Sequence, residues 1–427
     1  MFSISNKGFI PDTCLLECVT EFSYLDKFLR KYQNQEYQSF DDFRKEIQDY
    51  EINIDETIII PPHLTELQLQ KIYSVTSILA HLYVWGGETQ NTNIPECIAV
   101  PWYLVSEEIG IPPVLTHAAV DLFNWKLINP ILPFSLENIE PIHFFNLDPE
   151  VRESEKWFYL PMIAIEGECG CILHKMEEIY EMLEQEENSI NTEKVKTNLK
   201  FILQKLKRQY EILQTTERCD PEHFYHLIRP YLGGSKQKDS PGWYLEGIEM
   251  YIEYGGGSAA QSSLIQAEDI FLGVEHPGDD FLKSMRDYMP EPHKQYLEHQ
   301  ETRPSFPEMR LRLNSEDYEP IEELRLLCLE QIKEFRRFHY TIVQRYVMRF
   351  NSMIGTGGTD VNRNLCYYIN NTLNAFHNLP VPGRSIAQAS CGDVLVAFFW
   401  ICYLYLVYWY FTSPAVDKLL RDIYFPE

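Results

Sequence analysis

Apolar residues recur three and four positions apart over most of the chain, which is the period of an α-helix with one buried face. Alternation of the kind that strands show is weak. The pattern predicts helices over residues 39–50, 64–83, 113–125, 175–187, 193–214, 221–232, 261–272, 281–289 and 320–351. We therefore predict a mainly α fold, in which a large helical bundle is joined to a smaller, mixed but mostly helical N-terminal domain.

The composition and periodicity of the sequence change twice along the chain, which predicts three regions. Residues 1–103 form the small N-terminal domain, 104–380 the large helical domain, and 381–427 a linker and an apolar segment. Within the last region, residues 394–411 carry no charge and would span about 27 Å as a helix, close to the bilayer core. Tyrosine and tryptophan are frequent there. A membrane anchor and an apolar helix packed on the large domain both remain open.

The composition of the chain argues against several classes of function. The net charge of −26 makes nucleic acid an improbable partner, because the chain repels phosphates. The 10 cysteines include no CxxC pair and no zinc spacing, which favours free thiols in a reducing compartment. Residues 1–20 lack the pattern of a secretory signal, so we expect a cytoplasmic protein. The many aromatic residues are compatible with a pocket for a flat ligand or with an aromatic-rich core.

Two glycine-rich stretches interrupt the helical pattern, at residues 255–258 and 355–359. Neither has the spacing of a nucleotide-binding P-loop, and neither follows a clear strand. Glycine is used where the backbone bends sharply or approaches a ligand closely. A plain turn and a ligand-binding loop both remain open for each stretch.

His339 occupies an apolar position on the last predicted helix. The apolar stripe runs through Phe335, His339, Ile342 and Tyr346, so the imidazole replaces an apolar side chain on the buried face. A buried imidazole needs a partner for its ring nitrogens. One interpretation is a core histidine bonded to a neighbour; the other is an axial ligand of haem iron. Arg336, one turn earlier, could reach an acidic group on the same face.

Several motifs in one order resemble the indoleamine 2,3-dioxygenase family. They are RRFHYTIV at 336–343, GTGGTD at 355–360, GGSAAQSS at 256–263, Phe224-Tyr225 with Arg229, Pro112-Pro113 through Trp125, and Phe281 through Pro290 with His293. The matches extend over about residues 40–375. The resemblance implies a haem-dependent dioxygenase that opens the indole C2–C3 bond of L-tryptophan, or of a related indoleamine, with O2. The product of that reaction is N-formylkynurenine, at the first step of the kynurenine pathway.

The resemblance also implies how haem b would be held. His339 matches the proximal ligand of the iron. Arg336 and Asp269 match a pair near the haem, with Arg336 approaching a propionate. Ser258 and Ala259 match the loop that passes beside the haem edge.

For the substrate, Arg229 matches the arginine that clamps the carboxylate, Phe224 an aromatic packed on the indole, and Thr356 the threonine near the ammonium. Two positions depart from the family. Met162 stands where well-studied members have a distal serine, and His117 where they have a pocket tyrosine.

The function that follows is catalysis by haem and O2, with a reductant that keeps the iron ferrous and no side chain acting as general acid or base. An alternative is a haem-binding sensor of the same fold with little turnover, for which the departures at Met162 and His117 leave room. A helical scaffold without haem would require His339 to be an ordinary core residue. Residues 394–411 add a possible contact with a membrane.

Overall fold

A computed structural model describes residues 4–14, 16–51, 60–185, 190–236, 241–305, 312–313 and 315–377. The chain divides into two units. The first contains residues 1–276 and 280–380 and holds the elements given below; the second contains 277–279 and 381–427, of which 277–279 are described.

The first unit is built mainly from α-helices, which confirms the predicted fold class. In chain order they are α1 (Ser23–Gln33), α2 (Phe40–Gln48), α3 (Glu66–Trp85), α4 (Glu96–Ile109), α5 (Pro149–Cys169), α6 (Ile172–Leu183), α7 (Thr192–Gln214), α8 (Pro221–His223), α9 (Ser263–Leu272), α10 (Asp280–Ser284), α11 (Glu291–Glu301), α12 (Ser315–Tyr346) and α13 (Val361–Ala375). Short strands are β1 (Asn93–Ile94), β2 (Trp125–Leu127), β3 (Ile139–Pro141), β4 (Trp243–Leu245) and β5 (Met250–Ile252). They form one sheet ordered β1-β4-β5, with β1 parallel and β5 antiparallel to β4, and an antiparallel pair β2-β3.

Helix α3 is the centre of the N-terminal part. Thr65 and Gln68 form a capping box that fixes its start. It is buried from Lys71 to Val84 because α1 and α4 pack against it, and the ammonium of Lys71 is neutralised by Asp26 at 2.8 Å. The boundary predicted between residues 103 and 104 falls inside α4, and the division into a small and a large domain stays a prediction.

The helix predicted over 113–125 is wrong. This segment holds a π-helical turn, Ala118–Leu122, and then enters β2. The reason is tertiary: the hydroxyl of Tyr73 lies 2.9 Å from the carbonyl oxygen of Val114, and the backbone N–H of Leu115 donates to Nε2 of His81 at 2.8 Å. The carbonyl of Val114, which a helix would pair internally, is thus bound to a side chain of α3, and a second side chain of α3 holds the N–H of Leu115.

Helices α5, α7 and α12 form the bundle that carries the site, since α7 packs against both of the others. Helix α5 was not predicted from the sequence. Asp148 caps its first turn and Pro149 takes the first helical position. It is buried on most sides and so lacks the polar face that defines an amphipathic pattern.

Three other predicted helices are broken or shortened. Residues 221–232 form α8, a π-helical turn (Phe224–Ile228) and a 3-10 turn (Arg229–Leu232), because Pro230 has no N–H and disfavours a helix at the residue before it. The helix predicted over 281–289 is replaced by α10 and the 3-10 turn Met285–Tyr288, and Met289 lies outside both. Helix α9 begins at Ser263, after the Ser262 cap.

Helix α12 is longer at its start than predicted and shorter at its end. It begins at Ser315 and ends at Tyr346, where a 3-10 turn, Met348–Phe350, and a left-handed Asn351 redirect the chain. Among the described residues, no helix is long and apolar enough to cross a membrane. Residues 394–411, for which an anchor was one prediction, lie outside the described part of the chain.

Candidate functional site

A cavity of about 300 Å³ opens between α5, α12 and the loops at 257–262 and 355–359. Every residue that the sequence singled out for the site contributes to its wall. They are His117, Met162, Phe224, Arg229, Ser258, Ala259, Asp269, Arg336, His339 and Thr356. The structure thus brings together side chains that are as far as 239 positions apart in the sequence (Thr356 and His117).

His339 projects from α12 into an apolar part of this wall, where Phe335, Ile342 and Val343 also line the cavity. Burial, and then the nearby charge of Arg336, lower the pKa of His339 to about 4, so the imidazole is neutral at pH 7. Within the described ranges, neither of its ring nitrogens has a hydrogen-bond partner. A neutral imidazole on a rigid helix with a free lone pair is suited to ligate a metal ion.

Arg336, one turn before His339, is held in a buried polar cluster. Its guanidinium donates to the carboxylate of Asp269 on α9 and to the hydroxyl of Thr372 on α13. Nε2 of His276 lies 3.0 Å from the same oxygen of Asp269, and Nδ1 of His276 is 3.1 Å from the amide nitrogen of Asn371. Burial alone would raise the pKa of Asp269, but Arg336 and His276 lower it. His276 was not predicted, because no local pattern connects it to α12.

The two glycine-rich stretches meet at the cavity. The backbone N–H of Gly256 donates to the carbonyl of Thr356 at 3.0 Å, and the hydroxyl of Thr356 donates to the carbonyl of Gly257. A Cβ on Gly256 would lie 1.9 Å from the carbonyl oxygen of Leu232, so only glycine fits there. This close approach is to the backbone at Leu232, and the choice between a plain turn and a ligand-binding loop stays a prediction.

Arg229 and Phe224 lie on the irregular turns after α8. The ring of Phe224 is 4.8 Å from that of Phe158 on α5, which gives the cavity an aromatic wall. The guanidinium of Arg229 donates to the carbonyl of Ile354 at 2.7 Å. No carboxylate among the described residues pairs with it, so its charge is available to an anionic ligand.

His117 belongs to a buried charged group that the sequence did not predict. Its Nδ1 is 2.8 Å from Oδ2 of Asp121, and its Nε2 is 3.0 Å from Oε1 of Glu166. The hydroxyl of Ser262 donates to the same Glu166 oxygen at 2.6 Å. Burial opposes a charge on His117, but the two carboxylates raise its pKa to about 10. The four-residue spacing of His117 and Asp121 could have indicated from the sequence that these two side chains meet. The contact of His117 with Glu166 is visible only in the fold.

Comparison with known protein families identifies the family of the protein that contains this cavity. The family model of indoleamine 2,3-dioxygenase matches residues 1–365. The chain belongs to the indoleamine 2,3-dioxygenase family. It is 30% identical over 318 residues to indoleamine 2,3-dioxygenase of Saccharomyces cerevisiae, covering 70% of this chain and 68% of the relative. It is 29% identical to indoleamine 2,3-dioxygenase 1 of Rattus norvegicus, over 66% of this chain and 75% of the relative, and 32% identical to indoleamine 2,3-dioxygenase 2 of Homo sapiens, over 64% and 67%.

Membership confirms the predicted enzyme class: the chain is a haem-dependent dioxygenase, and its cofactor is haem b. The cavity fits such a cofactor on its own chemistry. It offers a ring nitrogen of His339 that no group in the described part of the chain occupies, apolar and aromatic walls for a macrocycle, and the cationic Arg336 beside them. The individual residue roles do not follow from membership alone.

Indoleamine 2,3-dioxygenases provide the pattern from which Met162 and His117 depart. Met162 lies on α5, four residues after Phe158 and four before Glu166, and it lines the cavity with both. A thioether there fills space that a serine would leave open, and it offers no hydroxyl to a ligand. At position 117 the histidine is charged, because its pKa is raised to about 10, whereas a tyrosine there would be neutral.

Proposed function

We propose that this indoleamine 2,3-dioxygenase family member cleaves the indole C2–C3 bond of L-tryptophan or a closely related indoleamine, placing both atoms of O2 in the product. For tryptophan the product is N-formylkynurenine. The observation that carries this proposal is the presence, in one cavity, of the imidazole of His339 and the guanidinium of Arg229. Among the described residues, the imidazole has no hydrogen-bond partner and the guanidinium has no carboxylate partner. The first suits a haem iron and the second an amino-acid carboxylate.

The cofactor is held by side chains from three parts of the fold. His339 would ligate the haem iron. Arg336 lies where a propionate can be neutralised, and its pairing with Asp269 fixes the guanidinium in place. The backbone at Ser258 and Ala259, which lines the cavity, would pass beside the bound haem. Bound haem supplies the activation of O2 and the redox chemistry.

The substrate is oriented by groups at the other loops of the cavity. Arg229 binds the carboxylate with its planar fork. Thr356 has lone pairs left to accept from the ammonium, because its hydrogen is donated to Gly257. Phe224 and Phe158 pack on the indole and exclude water. These contacts position the reacting bond, and no side chain is needed as general acid or base.

Purified protein tests the proposal directly. A Soret band in the isolated holoenzyme reports haem. Tryptophan is then added with O2 and a reductant such as ascorbate with methylene blue, and the product is analysed by mass spectrometry after reaction under 18O2. Two labelled oxygen atoms per product molecule are expected. Haem binding without any product from tryptophan or another indoleamine would contradict the proposal and favour a sensor.

We also propose a reductant, a cellular location and a membrane contact for the enzyme. A cellular reductant keeps the iron ferrous, the body of the protein is cytoplasmic, and residues 394–411 contact a membrane. The uncharged apolar run is what supports the last point. Fractionation of the full chain and of one that ends at Leu379 tests it: the full chain should be enriched in membranes and the shortened chain should be soluble and active. Equal solubility of the two would overturn membrane contact.

A further inference from the structure

Part of the cavity wall carries a cluster of polar side chains to which the proposed reaction gives no role. Glu166, His117 and Ser262 line the cavity, and Asp121 supports them from behind. These four residues are at most 5% exposed. Polar groups so deeply buried are costly unless each is satisfied, so their hydrogen bonds can be counted one by one.

Among the described residues, two carboxylate oxygens of this group have no hydrogen-bond partner: Oδ1 of Asp121, which does not line the cavity, and Oε2 of Glu166, which belongs to a cavity-lining residue. Oε1 of Glu166 accepts from Nε2 of His117 and from the hydroxyl of Ser262. Both ring nitrogens of His117 are engaged by carboxylates, so this imidazolium has no hydrogen left to offer. No donor among the described residues reaches Oε2 of Glu166. An unpaired carboxyl oxygen of a cavity-lining residue favours a ligand that donates a hydrogen bond.

The position of Glu166 on α5 indicates which part of a substrate could reach its Oε2 atom. Phe158, Met162 and Glu166 follow one another at four-residue intervals on the cavity face, so Glu166 is about 12 Å along the helix from Phe158. Phe158 packs on Phe224, beside the turn that carries Arg229. A substrate whose carboxylate is bound by Arg229, and whose ring system extends along α5 past Met162, would bring its ring edge toward Glu166.

We propose that Glu166, positioned by His117 and Ser262, is a specificity-determining residue that binds a hydrogen-bond donor on the ring of the substrate, such as a hydroxyl or amino group on the six-membered ring of an indole. The inference rests on the proposed function, since it assumes that the amino-acid end of an indole is at Arg229. A donor at the ring edge would satisfy Oε2 of Glu166, whereas an unsubstituted ring leaves that oxygen without a partner.

Equilibrium binding to the wild-type holoenzyme tests this without any mutation. Ring-hydroxylated and ring-fluorinated tryptophans are compared at each of the four positions of the six-membered ring, with dissociation constants taken from the shift of the Soret band. Fluorine is similar in size to a hydroxyl but has no hydrogen to donate. At one position at least, the hydroxylated ligand should bind roughly tenfold or more tightly than its fluorinated counterpart, as expected for a hydrogen bond to a charged group. A ratio under about threefold at every position would overturn the inference.

The variant Glu166→Gln assigns the preference to this side chain. Its amide oxygen must still accept from His117 and Ser262, so the amide nitrogen takes the place of Oε2 and removes the acceptor. The preference for the hydroxylated ligand should fall to within about threefold. Glu268→Gln is the matched control, since Glu268 is equally buried and lies outside the cavity wall; it should keep the preference. A preference retained in Glu166→Gln would contradict the role given to Glu166.

The outcomes separate this inference from the proposed function. If wild type converts tryptophan but does not discriminate hydroxyl from fluorine, the inference alone fails. If wild type binds no tryptophan of any kind, both fail. Haem content and the melting temperature of Glu166→Gln show whether it folds; if it does not, the wild-type comparison still decides.

Discussion

The hydroxyl of Thr356 donates a hydrogen bond to the carbonyl oxygen of Gly257, which joins two loops that are 99 positions apart in the chain. The backbone N–H of Gly256 returns a bond to the carbonyl of Thr356 at 3.0 Å. The loop that is expected to pass the haem edge is thereby fastened to the loop that is expected to bind the substrate ammonium. Loss of the hydroxyl should affect both functions of this junction.

We expect Thr356→Val to raise KM for tryptophan by about tenfold, since a hydrogen bond to a charged group is worth roughly 1.5–3 kcal/mol. The variant keeps the shape of the side chain and loses both the donor to Gly257 and the acceptor for the ammonium. Steady-state kinetics and haem content are the measurements. Thr356→Ser retains the hydroxyl and should stay within about threefold of wild type. Equal kinetics for valine and threonine would show that the hydroxyl is not used.

Arg229→Ala should reduce kcat/KM for tryptophan far more than it reduces haem content. Truncating one partner of a charged pair in a dry site costs roughly 2–5 kcal/mol, so a loss of at least about 30-fold is expected. Arg229→Lys keeps the charge without the planar fork and should give an intermediate loss. A loss under about threefold in the alanine variant would mean that the carboxylate is bound elsewhere.

His339→Ala should fold and fail to retain haem. The imidazole has no hydrogen-bond partner in the described part of the chain, so its removal leaves no buried polar group unsatisfied and the melting temperature of the apoprotein should change little. The absorbance spectrum after haem reconstitution is the measurement, and added imidazole should partly restore binding by occupying the space. His63→Ala, at an exposed position, is the control and should bind haem normally. A normal Soret band in His339→Ala without imidazole would exclude His339 as the ligand.

Met162→Ser should keep haem and maintain or increase turnover of tryptophan. The change replaces a bulky thioether with a small hydroxyl on the cavity face of α5 and makes room beside Phe158. Met162→Ala opens comparable space without the hydroxyl, so the difference between the two variants isolates the hydroxyl's effect on kcat. Complete loss of activity in both would show that Met162 packs directly on the substrate.

The part of the site on α12 could be predicted because it depends on a local period. His339 and Arg336 are on one amphipathic helix, and a three-and-four spacing fixes which residues share its buried face. The ends of α12 could not be fixed in this way, since the turn at Asn351 and the start at Ser315 leave only weak local signals. The cavity as a whole followed from the order of the family's motifs rather than from any single pattern.

The region around His117 could not be predicted from local pattern, because its conformation is set by side chains distant in sequence. His81 and Tyr73 on α3 capture backbone groups of residues 114–115, which prevents the helix that periodicity suggests. Glu166 is 49 positions from His117. Buried charges of this kind break the apolar pattern on which prediction rests, so functional sites are where such prediction is expected to fail.

Glu268 on α9 provides a prediction about stability and pH that does not depend on catalysis. It is 2% exposed, its carboxyl accepts from the amide of Gln209, and burial raises its pKa from 4.5 to about 8. The folded state therefore holds a proton on Glu268 that the unfolded state releases above pH 4.5. The stability associated with this proton is fully present below pH 4.5 and is lost as the pH rises through 8.

Glu268→Gln mimics the protonated carboxyl and cannot lose a proton. Its free energy of unfolding, relative to that of wild type, should therefore increase between pH 5 and pH 8, by an amount on the order of a few kcal/mol, because each unit of pKa shift corresponds to about 1.4 kcal/mol. Denaturant unfolding of the holoenzyme at a series of pH values measures this difference. Glu275→Gln removes an exposed carboxyl a few residues away and reports the effect of the lost charge alone. A difference between Glu268→Gln and wild type that is constant across this range, or that shrinks toward pH 8, would show that Glu268 is already ionised in the folded protein.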